Sequence, residues 1–108
     1  MSIEVERATR ENVSYTITDE QTGNAVDLTT ADDVILRVSH DLNVEDGYVL
    51  EKSAGTQNSN GNAVWNLKDT DTDIEHGIYM FEIEIKYGST QSTVPEVGKF
   101  YVRQRVQG

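Results

Sequence analysis

From residue 77 to residue 88 the chain alternates strictly. Tyr79, Phe81, Ile83 and Ile85 fall on one parity, and Met80, Glu82, Glu84 and Lys86 on the other. Successive side chains on a strand point to opposite faces, so this pattern predicts a half-buried strand with a charged outer face. The same period recurs elsewhere. Ile3 and Val5 against Glu4 and Glu6 predict a short edge strand over residues 2–7. Over residues 12–19, Val13, Tyr15 and Ile17 point inward and Ser14, Thr16 and Thr18 outward. Over residues 34–40, Val34, Leu36 and Val38 form one face and Ile35, Arg37 and Ser39 the other. Ala63, Trp65 and Leu67 share a face of residues 63–67, and residues 48–52 make a further short strand.

The intervening segments are punctuated by turn chemistry. Residues 20–24 predict a turn in which Gly23-Asn24 takes positive φ. A short arm follows at 25–29, then a polar loop at 41–47. Residues 53–62 read SAGTQNSNGN, the small polar composition of an exposed loop. Residues 68–76 are the one candidate helical turn, with Asp69 or Asp71 as its cap. Gly88-Ser89 turns the chain into a long final strand, 90–94 and 97–106, with a bulge near Pro95. Proline lacks the N–H that a central strand needs, so the strand is expected at a sheet edge there. Short strands with turns roughly every ten residues predict an all-β fold, an immunoglobulin-like antiparallel β-sandwich of seven or eight strands.

Length and charge narrow the function classes. A chain of 108 residues makes one domain, 1–108, and can bury one core without staples. With no cysteine there is no disulfide scaffold, zinc ribbon or thiol nucleophile. Residues 1–12 are charged and polar, so no secretory leader is expected. No run approaches the ~18 apolar residues of a transmembrane helix. Nineteen acids against nine bases give a net charge of −10. Nucleic acid and anionic membrane surfaces are therefore not expected partners, since both need clustered Lys and Arg. The acidity keeps the chain soluble, and suits high salt, where screening quiets self-repulsion.

Few residues suggest chemistry. Asp69, Asp71 and Asp73 alternate as carboxylates that share a hard cation do. The EF-hand pattern fails there, because Ile74 stands where the loop needs Gly and Met80 where it needs a bidentate Glu. The competing reading is a capped turn, and no metal or other cofactor is expected. His40 and His76 sit at strand ends beside Asp41 and Glu75. Neither a nucleophile elbow nor a Gly-rich oxyanion loop accompanies them, so they read as solvated loop histidines and no enzymatic activity is expected. Trp65 shares parity with Ala63 and Leu67 and reads as core, whereas a sugar-stacking platform would need it exposed. Tyr48, Tyr87 and Tyr101 are less clearly inward, and an exposed one would favour a glycan or protein partner; a small-molecule ligand is not expected. Lys99, Arg103 and Arg105 share parity with Tyr101 and form a basic stripe in an acidic chain. It reads either as cross-strand pairing with Glu4, Glu6, Glu82 or Glu84, or as a partner interface docking on an acidic neighbour.

Several landmarks recur in a known order. Asp27-Leu28-Thr29 precedes the strand from Val34, and a Gly- and Asn-rich loop leads to Trp65-Asn66-Leu67. Gly77-Ile78-Tyr79 and Gly98-Lys99-Phe100-Tyr101-Val102 follow. In this order the chain resembles, over roughly residues 12–106, the immunoglobulin-like domain of tailed-phage virion proteins, such as the N-terminal domain of baseplate upper proteins. The resemblance implies a structural virion subunit in a tail, a baseplate or a capsid-surface decoration. It implies virion localisation, with copies of itself and other virion proteins as partners. That family's domain usually precedes a fibre or receptor-binding region, and here the chain ends at Gly108, so the expectation is a stand-alone subunit. The alternatives are a carbohydrate-binding or adhesin module for host attachment, using loops 41–47 and 53–62, and a cellular immunoglobulin-like module.

Overall fold

The computed structural model describes residues 2–19, 21–40, 47–88 and 91–104, and over 91–96 the backbone alone. Glu20, the loop at 41–46, Ser89 and Arg105 lie outside the described residues. Among those described there is no helix. The strands are β1 (Ser2–Glu6), β2 (Glu11–Thr16), β3 (Asp33–Ser39), β4 (Leu50–Ser53), β5 (Thr56–Gln57), β6 (Asn62–Leu67), β7 (Gly77–Tyr87) and β8 (Gln91–Arg103). They form a five-stranded sheet, β1-β8-β7-β3-β4, and a three-stranded sheet, β2-β6-β5.

The alternating segments pair as their parity demands. Val13, Tyr15 and Ile17 from the smaller sheet's side meet Phe81, Ile83 and Ile85 from β7 in one core. Tyr15 and Phe81 touch edge to face, with ring centroids 5.9 Å apart. Trp65 is fully buried with Ala63, Val34 and Leu36. Leu28, which the sequence leaves in an arm at 25–29, is also fully buried. That arm is no strand: it forms an isolated bridge between Thr18 and Ala25, and the N–H groups of Val26 and Leu28 donate to the carbonyls of Ile17 and Asn58.

Three expectations are corrected. First, β1 runs parallel to β8, with Ser2 beside Lys99 and Glu6 beside Arg103. A chain that switches sheets between β1 and β2 cannot form a hairpin there, and Ala8 in the turn takes a φ of 58°.

Second, residues 53–62 are not all loop. Ser53 ends β4, and Thr56–Gln57 pair with β6. The Gln57 side chain donates to the carbonyls of Leu28 and Ala31. Asn58 organises the β5–β6 turn, its side-chain oxygen accepting the N–H groups of Asn60 and Asn62. Gly61 sits in that turn at φ 77°, where a Cβ would lie 2.5 Å from the Ile17 carbonyl oxygen.

Third, residues 68–76 form a turn, not a helical element. The Lys68 carbonyl accepts from Asp71 and Thr72, and the chain then leaves. The Thr72 hydroxyl is fully buried, donating to the Thr9 carbonyl at 2.6 Å and accepting the Thr9 N–H at 2.9 Å. Docking on the β1–β2 turn takes the polar groups that a helix would have used.

The expectation for the final strand holds: β8 is a sheet edge around Pro95. Residues 99–103 lie between β1 and β7, while the stretch around Pro95 pairs with β7 alone. The register shifts by one residue opposite Glu84, between the pairs Ile83–Glu96 and Ile85–Thr93. The bulge and the edge at the proline both match its missing N–H.

Candidate functional site

Because β8 alternates between β1 and β7, Phe100 and Val102 point into the core and Val97, Lys99, Tyr101 and Arg103 point out. The register sets Lys99 between Ser2 and Met80, and Tyr101 between Glu4 and Ile78. Lys99, Tyr101 and Arg103 therefore share one outer face. The fourth residue of the stripe, Arg105, lies outside the described residues.

The expected cross-strand pairing holds for one pair, Arg103 with Glu4. Arg103 Nε lies 2.7 Å from Glu4 Oε1, with both side chains more than half exposed. Such a pair contributes only a few tenths of a kcal/mol, about 0.2–1. Among the described residues neither Glu82 nor Glu84 makes an ion pair with Lys99 or Arg103. Glu84 binds Arg37, whose guanidinium also binds Glu51 and lies over the Tyr48 ring, 5.4 Å from its centroid. Burial works against the Arg37 charge, but the hydrogen bonds to Glu51 and Glu84 outweigh it and hold the group above its ordinary range. Glu82 accepts from the Tyr48 hydroxyl at 3.0 Å. Partial burial, and then that bond to a carboxylate, raise the Tyr48 pKa. Lys99 makes no ion pair among the described residues.

Next to Tyr101, Ile78 is 66% exposed. With Glu4, His76, Val102 and Arg103 these residues line an open cavity of about 470 Å³. Val97, 45% exposed, extends the apolar surface along β8. Ile78 shares parity with Met80 and Glu82, so its outward placement was readable from the alternation. With Met80 it makes an apolar end on a face that then carries Glu82, Glu84 and Lys86, a signal that the polar stripe overshadowed.

The remaining candidates are dispersed. Asp71 binds the Lys52 ammonium at 2.9 Å and the Lys68 N–H at 2.9 Å. The Lys68 backbone bond and then the Lys52 bond hold its carboxyl below the usual range. Asp73 pairs with Arg7, and Asp69 accepts from Thr70. Among the described residues no three His, Cys, Asp or Glu side chains converge as a metal site would require. His40 is exposed with its ring 5.2 Å from that of Tyr79, while His76 lies at the Ile78 cavity. Trp65 is fully buried, and its indole N–H donates to the Val34 carbonyl. It is core and not a platform. Tyr87 packs, half-buried, against the core, while Tyr48 remains 39% exposed. No known protein family matches this sequence, and no curated protein matches it either.

Proposed function

We propose that this protein is an immunoglobulin-like, non-enzymatic structural subunit of a tailed virus particle, docking on neighbouring virion proteins and on copies of itself. Two features support the immunoglobulin-like part. The strand order places the second, fifth and sixth strands in one sheet and the third, seventh and eighth in the other, with the first strand parallel to the last. The grouping of β2, β5 and β6 against β3, β7 and β8 matches strands B, D and E against C, F and G of an immunoglobulin sandwich and so supports the reading, while β1 lies beside β8 and not with the first group. Tyr79, near the start of β7, donates from its hydroxyl to the Glu75 carbonyl at 2.7 Å. A tyrosine hydroxyl bonded to a backbone carbonyl four residues upstream is similar to the tyrosine corner and supports the reading.

The observation that carries the docking role is Ile78. An isoleucine two-thirds exposed beside Tyr101, over an open cavity and flanked by cationic Lys99 and Arg103, makes an apolar centre with a charged rim. The acidic surplus of the chain makes a second copy complementary to that rim. The direct test is fractionation of purified particles with immunogold labelling. The protein should band with virions and label a fixed position on them; a protein found only in the soluble lysate overturns the virion reading.

A further inference from the structure

The second unusual surface lies on the other sheet. β2 and β6 pair with Glu11 beside Leu67 and Asn12 beside Asn66. Arg10 and Lys68 flank the last pair of this register, Glu11 with Leu67. The two cations are exposed, and both line a cavity of about 390 Å³ together with Asn12, Asn66 and Leu67. Like charges brought close together repel. Here two cations meet at one cavity in a chain that carries 19 acids.

No carboxylate relieves them. Arg7, Arg37, Lys52 and Arg103 each hold an acid, whereas neither Arg10 nor Lys68 makes an ion pair among the described residues. Asp71, close in sequence to Lys68, takes the Lys68 backbone N–H and the Lys52 ammonium instead. The outward positions beyond the two cations are Asn12, Ser14, Thr16, Asn62, Val64 and Asn66, with no acid among them. Two like charges at one cavity without compensation are the kind of local rule-breaking that marks binding sites. The cavity is within the ~300–1,000 Å³ range of small-ligand sites.

We propose that Arg10, Lys68, Asn12 and Asn66 bind an anionic sugar, a glycan unit bearing a carboxylate or a phosphate. The two cations would take the anionic group, and the amides, which both donate and accept, would take ring hydroxyls. With no large apolar group exposed along this strip, a sugar suits it better than a protein interface with an apolar centre. The site lies on the smaller sheet and does not depend on the docking face or on the virion reading.

The test is a ¹H–¹⁵N NMR titration of the full chain. Four probes are compared: a hyaluronan tetrasaccharide (carboxylate), glucose 6-phosphate, uncharged cellotetraose and inorganic phosphate. At least one anionic sugar should shift the backbone and side-chain amides of Asn12 and Asn66, with binding weakened about tenfold in high salt. Which of the two acts identifies the anionic group. Arg10→Glu should abolish the shifts with the rest of the spectrum intact, because the new carboxylate lies at the same cavity as Lys68. Lys68→Gln is the second variant. Absence of shifts with both anionic sugars, equal response to cellotetraose or to inorganic phosphate, or unchanged binding by both variants overturns the proposal.

Discussion

The indole N–H of Trp65 donates to the carbonyl of Val34 at 3.2 Å, from one sheet to the other. The same carbonyl accepts the Ala54 N–H at 2.8 Å, so both of its lone pairs are used. The bond fixes how the sheets sit on each other at a point where both residues are fully buried. Trp65→Phe should lower stability by about 2–3 kcal/mol, from lost volume and one lost hydrogen bond. Since Trp65 is the only tryptophan, the unfolding curve must be followed by circular dichroism in urea. A loss under about 0.5 kcal/mol would mean that the indole is not anchored there.

Tyr79 makes the corresponding tie at the entrance to β7. Tyr79→Phe keeps the ring in the core and removes only the bond to the Glu75 carbonyl. Stability should fall by about 1 kcal/mol, with an unchanged dependence on denaturant. A neutral result in equilibrium unfolding would deny the corner its structural role.

Much of this fold was legible as parity. Tyr79, Phe81, Ile83 and Ile85 are buried as the alternation required, and so are Val13, Tyr15 and Ile17. What parity could not reveal depends on partners distant in sequence. Thr56–Gln57 looks like loop, because its strand rests on backbone pairing with β6 and on Gln57 reaching Leu28 and Ala31. Ile35 sits on the outer parity of β3 and is still buried, though it is not part of the main core cluster. At the sites, the alternation grouped Lys99, Tyr101 and Arg103 correctly. It offered Glu4, Glu6, Glu82 and Glu84 as their partners; Glu4 does pair with Arg103, while Glu82 and Glu84 bind Tyr48 and Arg37. The meeting of Arg10 and Lys68 at one cavity exists only once β2 and β6 are in register.

Asp71 makes part of the stability depend on pH. Its carboxyl titrates below the ordinary carboxylate value in the folded chain. Its contribution is therefore complete above the unfolded value of about 3.9 and is lost as pH falls through the lower, folded one. Asp71→Asn should cost about 1 kcal/mol at pH 7. The gap from the parent should stay constant down to about pH 5 and narrow below about pH 4. Thermal melts of the two proteins across that range check this; a gap that does not depend on pH would sink the assignment.

Ile78 separates folding from assembly. Its exposure means that Ile78→Thr, which keeps the β-branched shape, should change stability by no more than about 0.5 kcal/mol. The same change removes apolar surface from the docking face and should weaken subunit association about tenfold or more. Sedimentation velocity over a concentration series reads the association, and a thermal melt reads the fold. Unchanged association would remove Ile78 from the interface.

The parallel pairing of β1 with β8 has a mechanical consequence. Ser2 lies beside Lys99 and Glu6 beside Arg103, and the Arg7 N–H bonds the Arg103 carbonyl one step further. The chain thus enters β1 beside the middle of the sheet and leaves β8 beside the end of β1. Tension applied through these two ends slides the strands lengthwise past each other and loads their hydrogen bonds together, in shear. Neighbouring ends of a hairpin would instead peel apart one bond at a time. Pulled through its own ends, the domain resists force along its strongest direction.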